Sequence, residues 1–185
     1  FNPAPNGAVS AIAIQPDGRI IIAGSFSLVA GVARNRFARL DANGQLDTTF
    51  DPNASAKVNA VVIQPDGGIV IGGTFTTLTP NLTTTAVARN YIARLNTDGT
   101  VDSNYNPSPN FNVTSLALQS DGKVVAGGSF TSVAPNGAIT AVTRNGIARF
   151  NTDGSLDQNF DPNANAAVNA IVALPNGQFI IGGPF

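Results

Sequence analysis

The sequence contains no cysteine, no methionine, no tryptophan and no histidine, and its eleven acidic residues are all aspartate. Each absence removes a class of chemistry. Without Cys there is neither a disulfide nor a thiolate metal site, although the compartment stays open. Without His or Glu, the commonest general acid-base side chain and the commonest metal ligand are both missing. A nucleophile with a neighbouring base would have to use Lys57 or Lys123, leaving paired Asp carboxylates as the other catalytic arrangement. The expectation is therefore no enzyme and no catalytic residue. The lack of any Met, even at position 1, carries the further expectation that these 185 residues are a processed or excised piece of a longer product.

Charge is scarce too. Charged residues make up 11% of the chain and the formal net charge is −1, against roughly a quarter charged in an average globular protein. A nucleic-acid partner would need a clustered basic surface, so none is expected. No apolar run approaches the ~20 residues of a membrane-spanning helix, and no basic, apolar, small-residue leader opens the chain. Membrane insertion is not expected.

What the chain does have is repetition. The stretch VNAVVIQPDGGIVIGGTF at residues 58–75 recurs in closely related form at residues 9–26, 113–130 and 168–185. Phe1, Phe50, Tyr105 and Phe160, each followed by Asp or Asn and then Pro, set spacings of 49, 55 and 55 residues. The chain thus reads as one repeat domain over residues 1–185, with repeats 1–49, 50–104 and 105–159 and a half repeat 160–185. The first repeat is six residues shorter, and the whole deficit falls between Phe26 and Arg34. A length change confined to one segment marks a surface loop.

Each full repeat carries two hairpin signals. The first turn is Pro-Asp-Gly, in which Pro presets φ, Asp bonds back to the backbone and Gly accepts positive φ. Ser120 replaces the Pro in the third copy and Asn176 the Asp in the fourth. The second turn is Asn43-Gly44, Asp98-Gly99 or Asp153-Gly154. Each repeat is therefore expected to form a four-stranded antiparallel meander.

Side-chain alternation places Val58, Ala60 and Val62 on one face and Val61 and Ile63 on the other, so both faces are apolar. No helical period is available to cover them, and the covering layers have to be further copies of the same sheet. The expected fold is all-β, with tandem four-stranded antiparallel blades forming part of a β-propeller; the alternatives are a β-solenoid or an open repeat array. Three and a half blades leave a ring open. Exposed strand edges and an apolar blade face then call for further repeats in the same chain or self-association through the open ends.

The pattern F-[DN]-P, V-x-x-[IVL]-x-[IL]-Q-x-D-G, G-G-x-F, R-N-x-[IF]-A-R-[LF] and D-G-x-[LV]-D-x-x-F resembles the bacterial delta-60 repeat family over essentially the whole chain. That resemblance implies a β-propeller and a secreted or cell-surface bacterial protein. It carries over no catalytic residue. It implies an architecture more than an activity, and the function expected here is a non-enzymatic scaffold for adhesion or protein–protein interaction; a subunit that polymerises into a surface fibre and a carbohydrate-binding or hydrolytic propeller are the alternatives. WD40 repeats are a poor sequence match, because the chain has neither Trp nor His.

Three sets of residues are candidates for a site. Arg34, Arg89 and Arg144, and likewise Arg39, Arg94 and Arg149, recur in register with Asp47, Asp102 and Asp157. Recurrence in every unit favours a structural tie over an anion-binding ring. Asp41, Asn43 and Asp47, then Asn96, Asp98 and Asp102, then Asn151, Asp153 and Asp157 place oxygen ligands around a Gly, as a calcium loop would. The EF-hand pattern is not met, so no cofactor is expected beyond calcium as a candidate. The variable connection after each Gly-Gly-x-Phe holds Thr76, Thr83, Thr84, Thr85, Thr131, Asn136 and Thr140. These loops should gather on one rim and offer a protein or glycan partner its binding face.

Overall fold

A computed structural model of the chain describes residues 2–81 and 83–185. Phe1, which opens the first repeat, and Leu82, in the Thr-rich connection, lie outside the described residues. The first repeat forms β1 (Val9–Ile14), β2 (Ile20–Gly24), β3 (Leu28–Val29), β4 (Val32–Ala33) and β5 (Phe37–Leu40). The second forms β6 (Val58–Ile63), β7 (Ile69–Gly73), β8 (Thr77–Leu78), β9 (Val87–Ala88) and β10 (Ile92–Leu95). The third forms β11 (Val113–Leu118), β12 (Val124–Gly128), β13 (Ser132–Val133), β14 (Val142–Thr143) and β15 (Ile147–Phe150), with a 3-10 turn at Pro135–Gly137. The half repeat adds β16 (Ala170–Ala173) and β17 (Phe179–Gly182).

The hairpins close as the turn chemistry demands. Asp17 Oδ1 accepts the Arg19 amide at 3.0 Å, Asp66 Oδ1 that of Gly68 at 3.0 Å and Asp121 Oδ1 that of Lys123 at 3.1 Å. Asn176 Oδ1 accepts the Gln178 amide at 3.1 Å, so an amide oxygen serves as well as a carboxylate. Gly18, Gly67, Gly122 and Gly177 all hold φ between +82° and +85°, the left-handed region glycine enters without penalty.

The three full repeats form antiparallel sheets in the orders β1-β2-β5, β6-β7-β10 and β11-β12-β15. The first strands β1, β6, β11 and β16 lie beside one another in succession, so they form the inner edge of the stack. Antiparallel ladders inside each repeat separate this fold from a parallel β-solenoid. Three details differ from the sequence expectation. The fourth strand shrinks to single bridges, Leu40↔Leu46, Leu95↔Val101 and Phe150↔Leu156, because the Asp that follows turns the backbone away: Asp47 Oδ1 accepts the amide of Thr49, and Asp102 and Asp157 do the same for Asn104 and Asn159. The variable connections begin and end in two-residue ladders, β3–β4, β8–β9 and β13–β14, which are too short to leave a period in the sequence.

The third difference concerns which way Val58 faces. A bulge separates the pairs Val58↔Gly73 and Ala60↔Gly72, so Asn59 is the extra residue and the alternation slips by one. Val58 therefore packs with Val61 and Ile63 against the first blade, while Ala60 and Val62 join Val70 and Ile92 against the third. The same slip occurs between Val9 and Ala11 and between Val113 and Ser115. A bulge of this kind sharpens the twist of the strand that carries it.

Packing runs between blades. Ile21, Ala23 and Phe37 of the first blade bury against Val58, Ile69 and Ile71 of the second. Val70 and Ile92 then meet Val113, Leu116 and Phe130 of the third, and Val125 and Ile147 meet Val168 and Ile171 of the last. The sheets do not close into a ring. No helix among the described residues is long and apolar enough to cross a membrane.

Candidate functional site

The repeated arginines act as ties within each blade. Arg34 Nη1 donates to Ala33 O at 2.7 Å and its Nη2 to Thr48 O at 2.9 Å. Arg89 repeats this on Ala88 O at 2.7 Å and Asp102 O at 3.0 Å, and Arg144 on Thr143 O at 2.8 Å and Gln158 O at 3.3 Å. All three side chains are buried. Each guanidinium thus pins the rim connection to the end of the outer hairpin.

Of the second set of arginines, Arg39 reaches the next blade directly, and Arg94 and Arg149 act through a glutamine of their own blade. Arg39 bonds Asp47 through Nε at 2.9 Å and reaches across to Thr97 O of the second blade at 2.5 Å. Its guanidinium also lies 4.0 Å over the Phe50 ring, as Arg149 lies 4.5 Å over Phe160. Arg94 joins Gln64 at 2.7 Å, Asp102 at 2.6 Å and Asp66. Gln64 in turn donates from Nε2 to Gly122 O of the third blade at 3.0 Å, and Gln119 to Gly177 O of the last at 3.2 Å. Sequence reasoning missed this glutamine staple, although Gln15, Gln64 and Gln119 recur in register and could have signalled it. Leu174 stands at the fourth position and ends the series.

The calcium candidates belong to the same frame. Asp41 Oδ1 accepts the amides of Asn43 and Gln45 at 2.9 and 2.8 Å. Asp98 Oδ1 accepts both amide and hydroxyl of Thr100, and Asp153 Oδ1 both of Ser155. Asn96 and Asn151 donate to the Thr100 and Ser155 hydroxyls at 2.8 and 2.9 Å. Asp47, Asp102 and Asp157 each turn one oxygen to an arginine. Among the described residues no three acidic groups gather into a cluster that could hold an ion.

These contacts set the acidities. Thr100 and Ser155, through hydroxyl and amide, hold Asp98 and Asp153 below the usual carboxylate range. Lys123, 2.8 Å away, does the same for Asp157 against the opposing effect of burial. Burial pushes Asp47 upward, but Thr49 and Arg39 outweigh it and leave the carboxyl low. Asp51 is the exception: burial raises it, and Arg34 at 3.7 Å only partly offsets the rise.

The rim candidates divide into two kinds. Thr76 and Thr131 are anchors, because their amides donate to Ser55 Oγ at 3.1 Å and Asn110 Oδ1 at 2.8 Å. Asn136 sits at φ +53°, and its Oδ1 accepts the Asn106 amide at 3.0 Å, as Asn81 does for Asp51 at 2.8 Å. It is a clamp for its loop. Thr83, Thr84, Thr85 and Thr140 are exposed, with one local bond from Thr83 Oγ1 to Thr85 O at 3.4 Å. Beside these loops a recess of about 500 Å³ opens between the third and last blades, walled by Phe130, Asn145, Gly146 and residues 163–167.

Against known proteins, the fold finds firm parallels and the sequence few. No curated relative matches the chain. Its structure is similar to the WD40 β-propeller domain of Doa1, with TM-score 0.64 and 15% identity over 96% of this chain and 48% of that one. It is also similar to a chain of the mitotic checkpoint complex, with TM-score 0.60 and 16% identity over 98% of this chain and 48% of that one. The chain spans about half the length of these two chains, and at such identities the likeness is one of fold. The Trp and His missing here are compatible with it, since Arg–Asp ties and Gln staples hold these blades together. Residues 15–50, 64–105 and 119–160 match a single family description three times over, each match running from a Gln-Pro-Asp-Gly or Gln-Ser-Asp-Gly turn to the Phe or Tyr that opens the next repeat. With those matches covering more than half of its residues, the chain belongs to the family described as a domain of unknown function (DUF5122) β-propeller.

Proposed function

We propose that the chain is a non-enzymatic scaffold, part of a secreted or cell-surface bacterial protein of the delta-60 kind, that holds a protein partner on its loop rim. The observation that carries this reading is the division of polar groups. Recurring Arg, Asp and Gln side chains, Gln15 apart, are engaged in ties within and between blades, whereas the longer second and third connections present exposed Thr side chains to solvent. A rigid frame with variable loops is the arrangement that binding proteins use. One structural neighbour is a component of a multiprotein assembly, the mitotic checkpoint complex, which supports an interaction role.

The test replaces the exposed residues 83–86 with Gly-Ser-Gly-Ser and leaves the Asn81 clamp in place. Proteins retained from spent growth medium by the immobilised wild type should be lost by this variant while its melting temperature holds. Identical retention by both forms, or turnover of a glycan by the purified chain, would overturn the reading. A second reading, a subunit that polymerises through its ends, has its own support: Ile12 and Ile14 at one end and Val172 and Ile180 at the other are exposed apolar side chains.

A further inference from the structure

The blades meet at three seams, counted from the first blade, and at the turn end of the sheets the second arginine of each full blade is used differently. In the second blade Arg94 serves three acceptors at once: Gln64 Oε1 from Nε at 2.7 Å, Asp102 Oδ2 from Nη1 at 2.6 Å and Asp66 Oδ2 from Nη2. In the third, Arg149 takes Asp157 from Nε at 3.0 Å and Gln119 Oε1 from Nη1 at 3.3 Å. In the first, Arg39 keeps Asp47 but turns from its own blade to Thr97 O of the second. Gln15 Oε1 is left as a buried acceptor without a donor, on a residue only 5% exposed. Asp17, in the register of Asp66, pairs with Arg19 at 3.6 Å, and both of these side chains are exposed.

The residue two after the turn aspartate accounts for the difference. A side chain at Gly68 would run into the Arg94 guanidinium, so glycine opens the path from Arg94 to Asp66. Arg19 and Lys123 carry a side chain at this position, and among the described residues neither Arg39 nor Arg149 bonds its turn aspartate. The first blade thus retains a glutamine oxygen and a carboxylate that the second blade gives to one guanidinium. Asp17 lines a recess of about 720 Å³ at the first seam, together with Arg19, Arg39, Asp47, Thr97 and Asp98. Gln15 brackets the same turn, its amide on Arg19 O at 2.8 Å and its carbonyl on the Gly18 amide at 2.9 Å. Both blades that wall the recess belong to complete repeats. Because Asp47 neutralises Arg39 at 2.8 Å, the remaining wall charges are Asp17 and Asp98 against Arg19, and the balance is acidic. Among the described residues no three acidic groups come close enough to hold a metal ion; a guanidinium is broader and donates along several directions from one plane.

We propose that this recess is a binding site for a guanidinium group, which displaces Arg19 from Asp17 and donates to Asp17 Oδ2 and Gln15 Oε1, as Arg94 does to Asp66 and Gln64 within the second blade. Displacing an exposed ion pair costs little. Serving a carboxylate and a buried unpaired oxygen together gives a forked, charge-assisted contact and removes the penalty of the orphaned acceptor. The guanidinium comes from an arginine of a partner protein or from a free guanidino compound. The site lies at the opposite end of the sheets from the variable connections, so its failure would leave the scaffold reading as it stands.

The probe is N-acetyl-L-argininamide, titrated into the isotope-labelled chain and followed by amide shifts. Saturable shifts should appear at the Gln15 carboxamide, at residues 17–19 and at residues 97–98. N-acetyl-L-citrullinamide, of the same shape without the charge, should produce none, and N-acetyl-L-lysinamide should bind at least fivefold more weakly. Asp17→Asn and Gln15→Leu should each weaken the arginine compound at least fivefold without lowering the melting temperature. The fold accepts both changes in its last repeat, where Asn176 closes the equivalent turn and Leu174 stands at the glutamine position. Tighter binding of free L-arginine than of the blocked compound would identify a free ligand as the source, and the reverse order a partner's side chain. Equal binding of the citrulline or lysine compound, undiminished binding by either variant, or no saturable shift at the Gln15 carboxamide would overturn the proposal.

Discussion

At the level of single residues, the chain uses aspartate as a clamp. The turn aspartates Asp98 and Asp153 hold the residues two ahead of them, and Asp47 and Asp157 divide their oxygens between a turn and a cation. Their acidities carry a consequence for stability. An unfolded Asp titrates near pH 3.9, whereas Asp47, Asp98, Asp153 and Asp157 titrate lower in the native state. Between those values the unfolded chain binds more protons, so stability is complete above about pH 4 and falls as the pH drops through the native values. Asp51, raised by burial, runs the other way and softens the onset. With no histidine to titrate, the urea midpoint should stay level from about pH 8 to pH 5 and drop below about pH 4. A decline already complete by pH 5 would contradict this assignment. Asp98 and Asp153 were legible as Asp-Gly turns, and Asp47, Asp157 and the arginine ties as residues in register. The positive φ of Arg36 and Tyr91 was not, because nothing in either letter distinguishes a left-handed residue from an extended one.

At the level of elements, the Gly-Gly ending of the second strand in the second and third blades does two separate jobs. A side chain on Gly73 or Gly128 would run into the carbonyl oxygen of Lys57 or Asn112, where the bulged first strand crosses. A side chain on Gly127 would meet Val168 Cγ1 and Ile171 Cδ1 of the next blade, both at 2.8 Å. The first blade carries Ala23 at the Gly127 position and buries it fully, so the seam accepts a methyl group only where its partners leave room. Gly127→Val should overpack the third seam, destabilising the protein by roughly 1–3 kcal/mol. Hydrogen exchange should show the loss concentrated in β16 and β17, which hold on through that seam, with β1 and β2 little changed. Uniform acceleration over all blades would show that the seams do not act separately. Strand pairing and turn position were readable from alternation and from Asp-Gly, but the bulge was not: it inverts the facing of Val58, and the residue that forms it, Asn59, reads in the sequence only as one polar letter in an apolar run.

At the scale of the molecule, the two ends of the stack present opposite halves of the same seam. Ile12 and Ile14 occupy the positions of Val61 and Ile63, which pack against the preceding blade, and here they are 65% and 69% exposed. Val172 and Ile180 occupy the positions of Ala117 and Val125, which are 7% and 0% exposed under the following blade, and here they are 56% and 61% exposed. That the sheets stack was legible from strands apolar on both faces; how many stack was not, since repetition specifies neighbours and not their number. Inside the chain a leading face always meets a trailing face, so contact between copies should be head to tail, a heterologous arrangement. Sedimentation of the 185-residue chain should then show its average mass rising with concentration. Ile14→Lys alone and Ile180→Lys alone should each return it to the monomer mass, because either change spoils every contact of that kind. If only one of the two does so, the ends pair with themselves and the head-to-tail account fails; if neither does, the association lies outside the blade faces.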